Sequence, residues 1–288
     1  LAVAIAFTAV PLVHLLFVRI PEDAPTPDPG SKILDIRGAA AAIRAVPGLF
    51  ALILFSTFNN LIGGLYMALM DPYGLELFDV KMWGVVLAIT ATGFLIGGGI
   101  VAAKGLGRNP IRTLLLAVAV MGLLGAVFTL REWWWLYAVG IWAYMTLVPV
   151  IESAEQTVIQ KVVPFERQGR VFGAATALEV STGPITSFAI APIAEFWIIP
   201  YLRTDDGERT WSWLLGEGEM RGIALIFLVG GLIMVAAALA AFLTRSYRTL
   251  SDEYREAPQT AEADAAVPDA APGIPSSSRE AAGGVAGD

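Results

Sequence analysis

The sequence predicts an all-α fold, a polytopic transmembrane bundle of about seven spans. Three observations carry that prediction. Of 288 residues, 56% are hydrophobic and the mean hydropathy is +0.65, more apolar surface than a soluble domain can cover. Charged residues make up only 16% and are clustered, leaving long uncharged stretches between the clusters. Each stretch is long enough to cross a hydrocarbon core, which needs about 20 helical residues. Finally, Lys and Arg gather at alternate connections, as they do in membrane proteins of defined orientation.

The first apolar segment, 1–18, begins at Leu1 with no basic region before it and no small-residue cleavage site after it, so it reads as a span and not a signal peptide. The connection 19–47 follows. It opens with the Pro-rich, acidic stretch PEDAPTPDPG, a linker composition. It continues into SKILDIRGAAAAIRAV, where Ile33, Ile36, Ala40 and Ile43 suggest one face of a short interfacial helix. Residues 48–245 then form a six-helix bundle, with apolar segments at 48–70, 82–103, 111–130, 133–160, 171–199 and 221–244. Trp133, Trp134 and Trp135 open one of these at the level of an aromatic belt. A polar loop over 201–220 carries WSWLL, expected in the interface. The tail, 246–288, is expected to be cytoplasmic and disordered, because residues 256–288 are rich in Ala, Pro, Glu, Ser and Gly.

Orientation follows from the positive charges. With the carboxyl terminus cytoplasmic, thirteen Lys and Arg flank the spans on the inside, among them Arg19, Lys104, Arg108, Lys161, Arg170 and Arg245. Five, Lys81, Arg131, Arg203, Arg209 and Arg221, lie outside, and the opposite orientation inverts that ratio. Asp71, Glu76 and Asp79 then fall in an acidic outer loop. Leu1 falls outside, so a protein starting in the cytoplasm would carry an odd number of earlier spans. The expected setting is a multi-pass protein of the cell membrane, with lipid around it.

Several chemistries are excluded. There is no cysteine and only one histidine, His14, so no disulfide framework, thiol nucleophile or His/Cys metal cluster is expected, and no cofactor. A net charge of −7 argues against nucleic acid as a partner. No HExxH helix, Ser–His pairing or Lys-Ser-ended glycine loop suggests an intramembrane enzyme or an ATPase.

Polar side chains at membrane depth are the candidate site. An acid there is costly and faces a bundle interior or a wet cavity. Glu152 lies roughly 15 Å from the cytoplasmic end of its helix and Glu179 roughly 13–14 Å from the end of the next, so the two form the leading pair. Glu155, three residues on, shares a face with Glu152. Such neighbouring carboxyls suit proton exchange, or else they bridge helices. Asn59 and Asn60 sit near mid-depth in FSTFNNLIGG and can bind substrate or tie helices, with Tyr66 and Tyr144 as further candidates. Glu195 lies near the outer interface. Gly63, Gly64, Gly97, Gly98 and Gly99 permit close helix contact, and Pro149 and Gly183-Pro184 introduce kinks.

Three stretches resemble the major facilitator superfamily, in particular its macrolide- and siderophore-exporter branch. DIRGAAAAIRAVPGLFALI is similar to the entry into the seventh helix of that branch. VIQKVVPFERQGRVFGA is similar to the turn between helices ten and eleven, with Pro164, Gly169, Arg170 and Gly173 in matching places. RGIALIFLVGGL resembles the start of helix twelve. The turn between helices eight and nine keeps Gly99, Lys104, Gly107 and Arg108 in GGGIVAAKGLGRNP, but Ala103 stands where the family has aspartate and the spacing is one residue longer. That aspartate's role is therefore not carried over. The resemblance implies that the first segment is helix six and the rest is the second six-helix bundle, with a missing amino-terminal bundle as its partner. It places helices nine and twelve on the lipid side and helices seven, ten and eleven at the cavity. It implies a secondary transporter, read here as a proton-coupled exporter of a small molecule working by alternating access. The alternative is a non-transporting membrane receptor or assembly scaffold that retains the fold.

Overall fold

The computed structural model describes residues 36–215 and 220–257, together with 9–11, Val13, His14 and Phe17. The chain divides into two units, Leu1–Ile36 and Arg37–Asp288. In the first unit the described positions are helical, and the remainder of the expected first span and of the linker lies outside the described residues.

The described residues form helices and no strand. In chain order they are α1 (Ile36–Ala45), α2 (Leu49–Leu77), α3 (Val80–Lys104), α4 (Pro110–Val127), α5 (Trp134–Val162), α6 (Phe165–Ile193), α7 (Ile199–Leu202), α8 (Asp205–Leu215), α9 (Arg221–Leu243) and α10 (Arg245–Glu256). Five of them, α2, α3, α4, α5 and α9, are long and apolar enough to cross a membrane. The sixth long helix, α6, spans 29 residues but carries Glu166, Arg167, Arg170 and Glu179, and Pro184 and Pro192 lie inside it. One wider turn, Ala194–Ile198, joins it to α7.

Local chemistry sets the boundaries. Gly48, with φ at 85°, turns the chain from α1 into α2. The Asp79 carboxylate caps α3 by accepting from the amides of Lys81 and Met82 at 2.9 and 3.0 Å. Asn109 caps α4, whose first residue is Pro110. Between them Gly105 and Gly107 both take positive φ, 66° and 74°, where a Cβ is disfavoured. Pro164 stops α5, and the Gln168 amide closes that end by donating to the carbonyls of Gln160 and Val163.

Several expectations need correction. The outer loop expected from Asp71 begins later, because α2 runs through Pro72 to Leu77. Side chains hold this extension: Trp83 Nε1 donates to Asp71, and the Tyr137 hydroxyl donates to the Met70 carbonyl at 2.7 Å. On α1 the buried face is Ala39, Ala42 and Ile43, and Ile36 is exposed; Ile33 lies outside the described residues. The WSWLL segment is part of α8, whose Glu208 pairs with the buried Arg221 at 3.1 Å. Residues 246–256, expected to belong to a disordered tail, instead form the amphipathic α10 with Arg245. Thr244 caps α10, Leu250 lies against Gly48, Ser251 accepts from Asn109, and Lys161 sits 4.3 Å over the Tyr254 ring. One short helix thus touches the ends of α2, α4 and α5. Residues 258–288 lie outside the described part.

The bundle is held by close helix pairs. α4 packs on α9, where Gly122 and Gly231 face each other: a Cβ on Gly122 would lie 2.7 Å from the Gly231 carbonyl oxygen. α3 packs on α5, where Gly93 and Gly97 meet the backbone of Trp142 and Thr146. Gly98 and Gly99 have nothing near them, so only one residue of that glycine triplet serves the contact. α4, expected on the lipid side, is the most enclosed of the five spans and α3 the least. The small residues of α4 face both α9 and α5, which leaves it little free surface.

Candidate functional site

Between α2, α5 and α6 the packing opens into a cavity of about 700 Å³, closed at its sides by Phe94 of α3 and Met121 of α4. Each wall follows from its helix. Pro149 cannot donate to the carbonyl one turn back, that of Met145, and its ring rests against Gly97 of α3. The last half of α5 leaves this point with Glu152 and Glu155 on one face. α6 is tied to α2 where the Thr186 hydroxyl donates to the Leu61 carbonyl at 3.0 Å, next to Gly64. About one turn earlier on α6 Thr182 reaches the cavity, and about two turns earlier Glu179 does.

Asn59, Asn60, Tyr144, Glu152, Glu155 and Glu179 all line this space. Their environments differ. Glu152 is exposed to it, Glu179 is half-buried, and Glu155 is only 8% exposed. Glu155 faces Ser56 of α2 and Glu179 of α6, so one carboxyl stands at the meeting point of three helices. Glu179 therefore has both Glu152, its partner in the pair expected from depth, and Glu155 as neighbours across the α5–α6 contact. Asn60 turns its amide back onto the Ser56 carbonyl of its own helix at 3.1 Å. Asn59 Oδ1 and the Tyr144 hydroxyl are buried with no hydrogen-bond partner among the described residues.

Tyr66 belongs elsewhere. Its hydroxyl donates to the Phe227 carbonyl of α9 at 2.6 Å, and its ring stacks on Phe227 with centroids 4.8 Å apart. It packs behind the wall, in an aromatic cluster with Phe128 and the wall residue Tyr144, and is not among the residues lining the cavity. The turn residues divide similarly. Gly107 occupies a positive-φ position, Lys104 ends α3, and Arg108 follows in the turn. Gly99 lies inside α3 and Gly169 inside α6, both in open space. Pro164 stands at the α5–α6 turn, and Arg170 lies in the second turn of α6. The side chain of Glu195 lies outside the described residues.

Sequence reasoning did not single out Met67, Met145, Gln156 or Phe172, which belong to the wall, or Ser56, which stands beside Glu155. Ser56 precedes Asn59 and Asn60 by one turn, so polar residues at that spacing were its signal. Met67, Met145 and Phe172 look like any other apolar span residue. No Lys, Arg or His lines the cavity, and no group of three potential metal ligands occurs among the described residues.

The sequence model of one family, the Major Facilitator Superfamily, matches residues 1–187. A comparison with curated protein sequences finds no match. Among solved structures, the chain is similar to a bacterial homologue of the human lysosomal transporter Spinster, in an inward-facing and unoccupied conformation. The TM-score is 0.42 at 14% sequence identity, over 85% of this chain and 56% of that one. The chain therefore spans little more than half the length of that protein.

Proposed function

The chain belongs to the major facilitator superfamily, and from that premise we propose that it forms one bundle of a proton-coupled exporter of a small molecule. Membership supports membrane transport over enzymatic chemistry. The observation that carries the finer reading is the cavity of about 700 Å³ whose wall brings Glu155 against Glu179 between membrane-length helices. In this reading a second, amino-terminal bundle closes the open side, and the two rock about the cavity in alternating access. The carboxyl terminus and the α10 end face the cytoplasm of a cell-membrane protein, by the distribution of positive charge.

Glu155 and Glu179 give the coupling a physical form. Two charged carboxylates facing each other repel, whereas a pair that shares one proton attracts. Proton entry thus draws α5 and α6 together, and proton loss lets them part and admits substrate. Pro184 and Pro192 give α6 the freedom to move, while Pro149 is pinned against α3. Glu152, exposed to the cavity one turn from Glu155, meets the substrate.

The test uses the full-length protein in vesicles with an imposed pH gradient. Glutamine keeps shape and hydrogen bonding but cannot titrate. Glu155→Gln and Glu179→Gln should each abolish gradient-driven transport while leaving substrate exchange between the two sides at equal pH. Normal gradient-driven transport by the double variant would remove these residues from coupling.

A further inference from the structure

We infer that the ligand of this cavity is an organic cation: an amphiphile with one positive charge on a compact hydrophobic body. This rests on reading the cavity as the transport site and adds the ligand's charge.

Charge is the first argument. Three carboxyl groups, Glu152, Glu155 and Glu179, face the space, and no basic side chain lines it among the described residues. An anion entering there meets no positive side chain among the described lining residues and is repelled by any charged carboxylate, the more strongly for the loss of water. If Glu155 and Glu179 share one proton, the wall still holds negative charge, and Glu152 is the exposed carboxylate free to pair with a ligand.

Independent of the acids, the wall keeps polar groups unused by the fold. Tyr144 is 7% exposed, its hydroxyl has no partner among the described residues, and it points toward Gly63 on the opposite wall. Asn59 Oδ1 is buried and unpartnered as well. A buried polar atom without a partner is costly, so such atoms in a cavity mark where a ligand completes the set. An amide oxygen offers only an acceptor, which again suits a positively charged or hydrogen-donating group.

Size and softness define the remainder. A cavity of about 700 Å³ matches a drug-sized molecule and not a bare ion. The three glutamates do not gather into a group able to hold a metal. The apolar wall includes Met67, Met121 and Met145 beside Phe94 and Phe172. Thioethers and aromatic faces adapt to irregular hydrophobic shapes and attract a diffuse positive charge.

The deciding experiment compares two ions of nearly equal size and shape and opposite charge. Purified full-length protein is dialysed to equilibrium against tetraphenylphosphonium and, separately, tetraphenylborate, with empty micelles as the blank. Tetraphenylphosphonium should bind saturably and at least tenfold more tightly than tetraphenylborate, and Glu152→Gln should weaken it at least fivefold. Equal or tighter binding of tetraphenylborate, or phosphonium binding no greater than to empty micelles, overturns the inference. The wild-type comparison stands even if the variant fails to fold. Charge-selective binding with no translocation in vesicles would keep the cation site and overturn the transport reading. Gradient-driven movement of an uncharged solute with no phosphonium binding would do the reverse.

Discussion

Two regions of the same bundle are built on opposite plans. Where α4 meets α9 and α3 meets α5, helices touch backbone to backbone through Gly122, Gly231, Gly93 and Gly97. An aromatic cluster of Tyr66, Phe128, Tyr137 and Phe227 adjoins these contacts, with Tyr66 and Tyr137 donating to main-chain carbonyls. Where α2, α5 and α6 meet, side chains do not fill the space, three acids face it, and four buried polar atoms, on Ser56, Asn59, Tyr144 and Glu155, have no hydrogen-bond partner among the described residues. In lipid, helix association relies on close packing and interhelical hydrogen bonds, since burial from water is not available. The first region therefore carries the stability, and the second can keep groups for chemistry.

The widest way to break this comparison is at the glycine contact. A side chain at Gly231 would collide with the Gly122 carbonyl and with the Ala126 backbone, and neither can swing aside. Gly231→Leu should cost on the order of 3 kcal/mol and give no monodisperse protein on size exclusion. Gly98→Leu, with nothing within contact distance, should purify like the wild type. Recovery of both with equal melting temperatures would show that the glycine face does not hold the bundle.

That contrast also marks what the sequence could and could not tell. The spans were legible because apolar runs of that length have one good explanation, and the mid-span acids stood out against them. Faces were not legible. Gly97, Gly98 and Gly99 are identical in sequence, and nothing in an almost uniformly apolar helix says which one turns toward α5. Glu152 and Glu155 share a helix face, so spacing alone ranked them by depth. The neighbour that matters, Ser56, lies about a hundred residues earlier in the chain. Tyr66 resembled a cavity residue until its hydroxyl was seen to end on Phe227. α10 was hidden by its polarity, because its order depends on Gly48, Asn109 and Lys161 and not on its own hydropathy.

A more local effect is expected at Gly48. Its φ of 85° is unfavourable for any residue with a Cβ, and that Cβ would lie 2.7 Å from the Ser246 carbonyl and 2.9 Å from Leu250. Gly48→Ala should weaken the seat of α10 by about 1–2 kcal/mol. Trypsin should then cleave at Arg245 and Arg248 several-fold faster, while the melting temperature of the bundle stays unchanged. Unaltered cleavage would mean that α10 is held independently of the α2 entry.

The smallest effect is the sharpest comparison, because it sets two tyrosines 5.4 Å apart against each other. Tyr66 and Tyr144 are both buried, at 4% and 7% exposure, and both lose one oxygen when replaced by phenylalanine. Tyr66 gives its hydroxyl hydrogen to the Phe227 carbonyl across to α9. Removing it deletes an interhelical hydrogen bond, worth about 0.6 kcal/mol in a membrane bundle. A shift of about 1–2 °C in melting temperature follows for a chain of this size. The Tyr144 hydroxyl has no partner to lose, so Tyr144→Phe should leave the melting temperature unchanged or raise it slightly. Ligand binding should invert the order: Tyr144→Phe should weaken tetraphenylphosphonium about twofold or more, and Tyr66→Phe should not. If Tyr144→Phe lowers the melting temperature as much as Tyr66→Phe, its hydroxyl has a structural partner, and the division between a packed region and a site held open fails at the residue where the two meet.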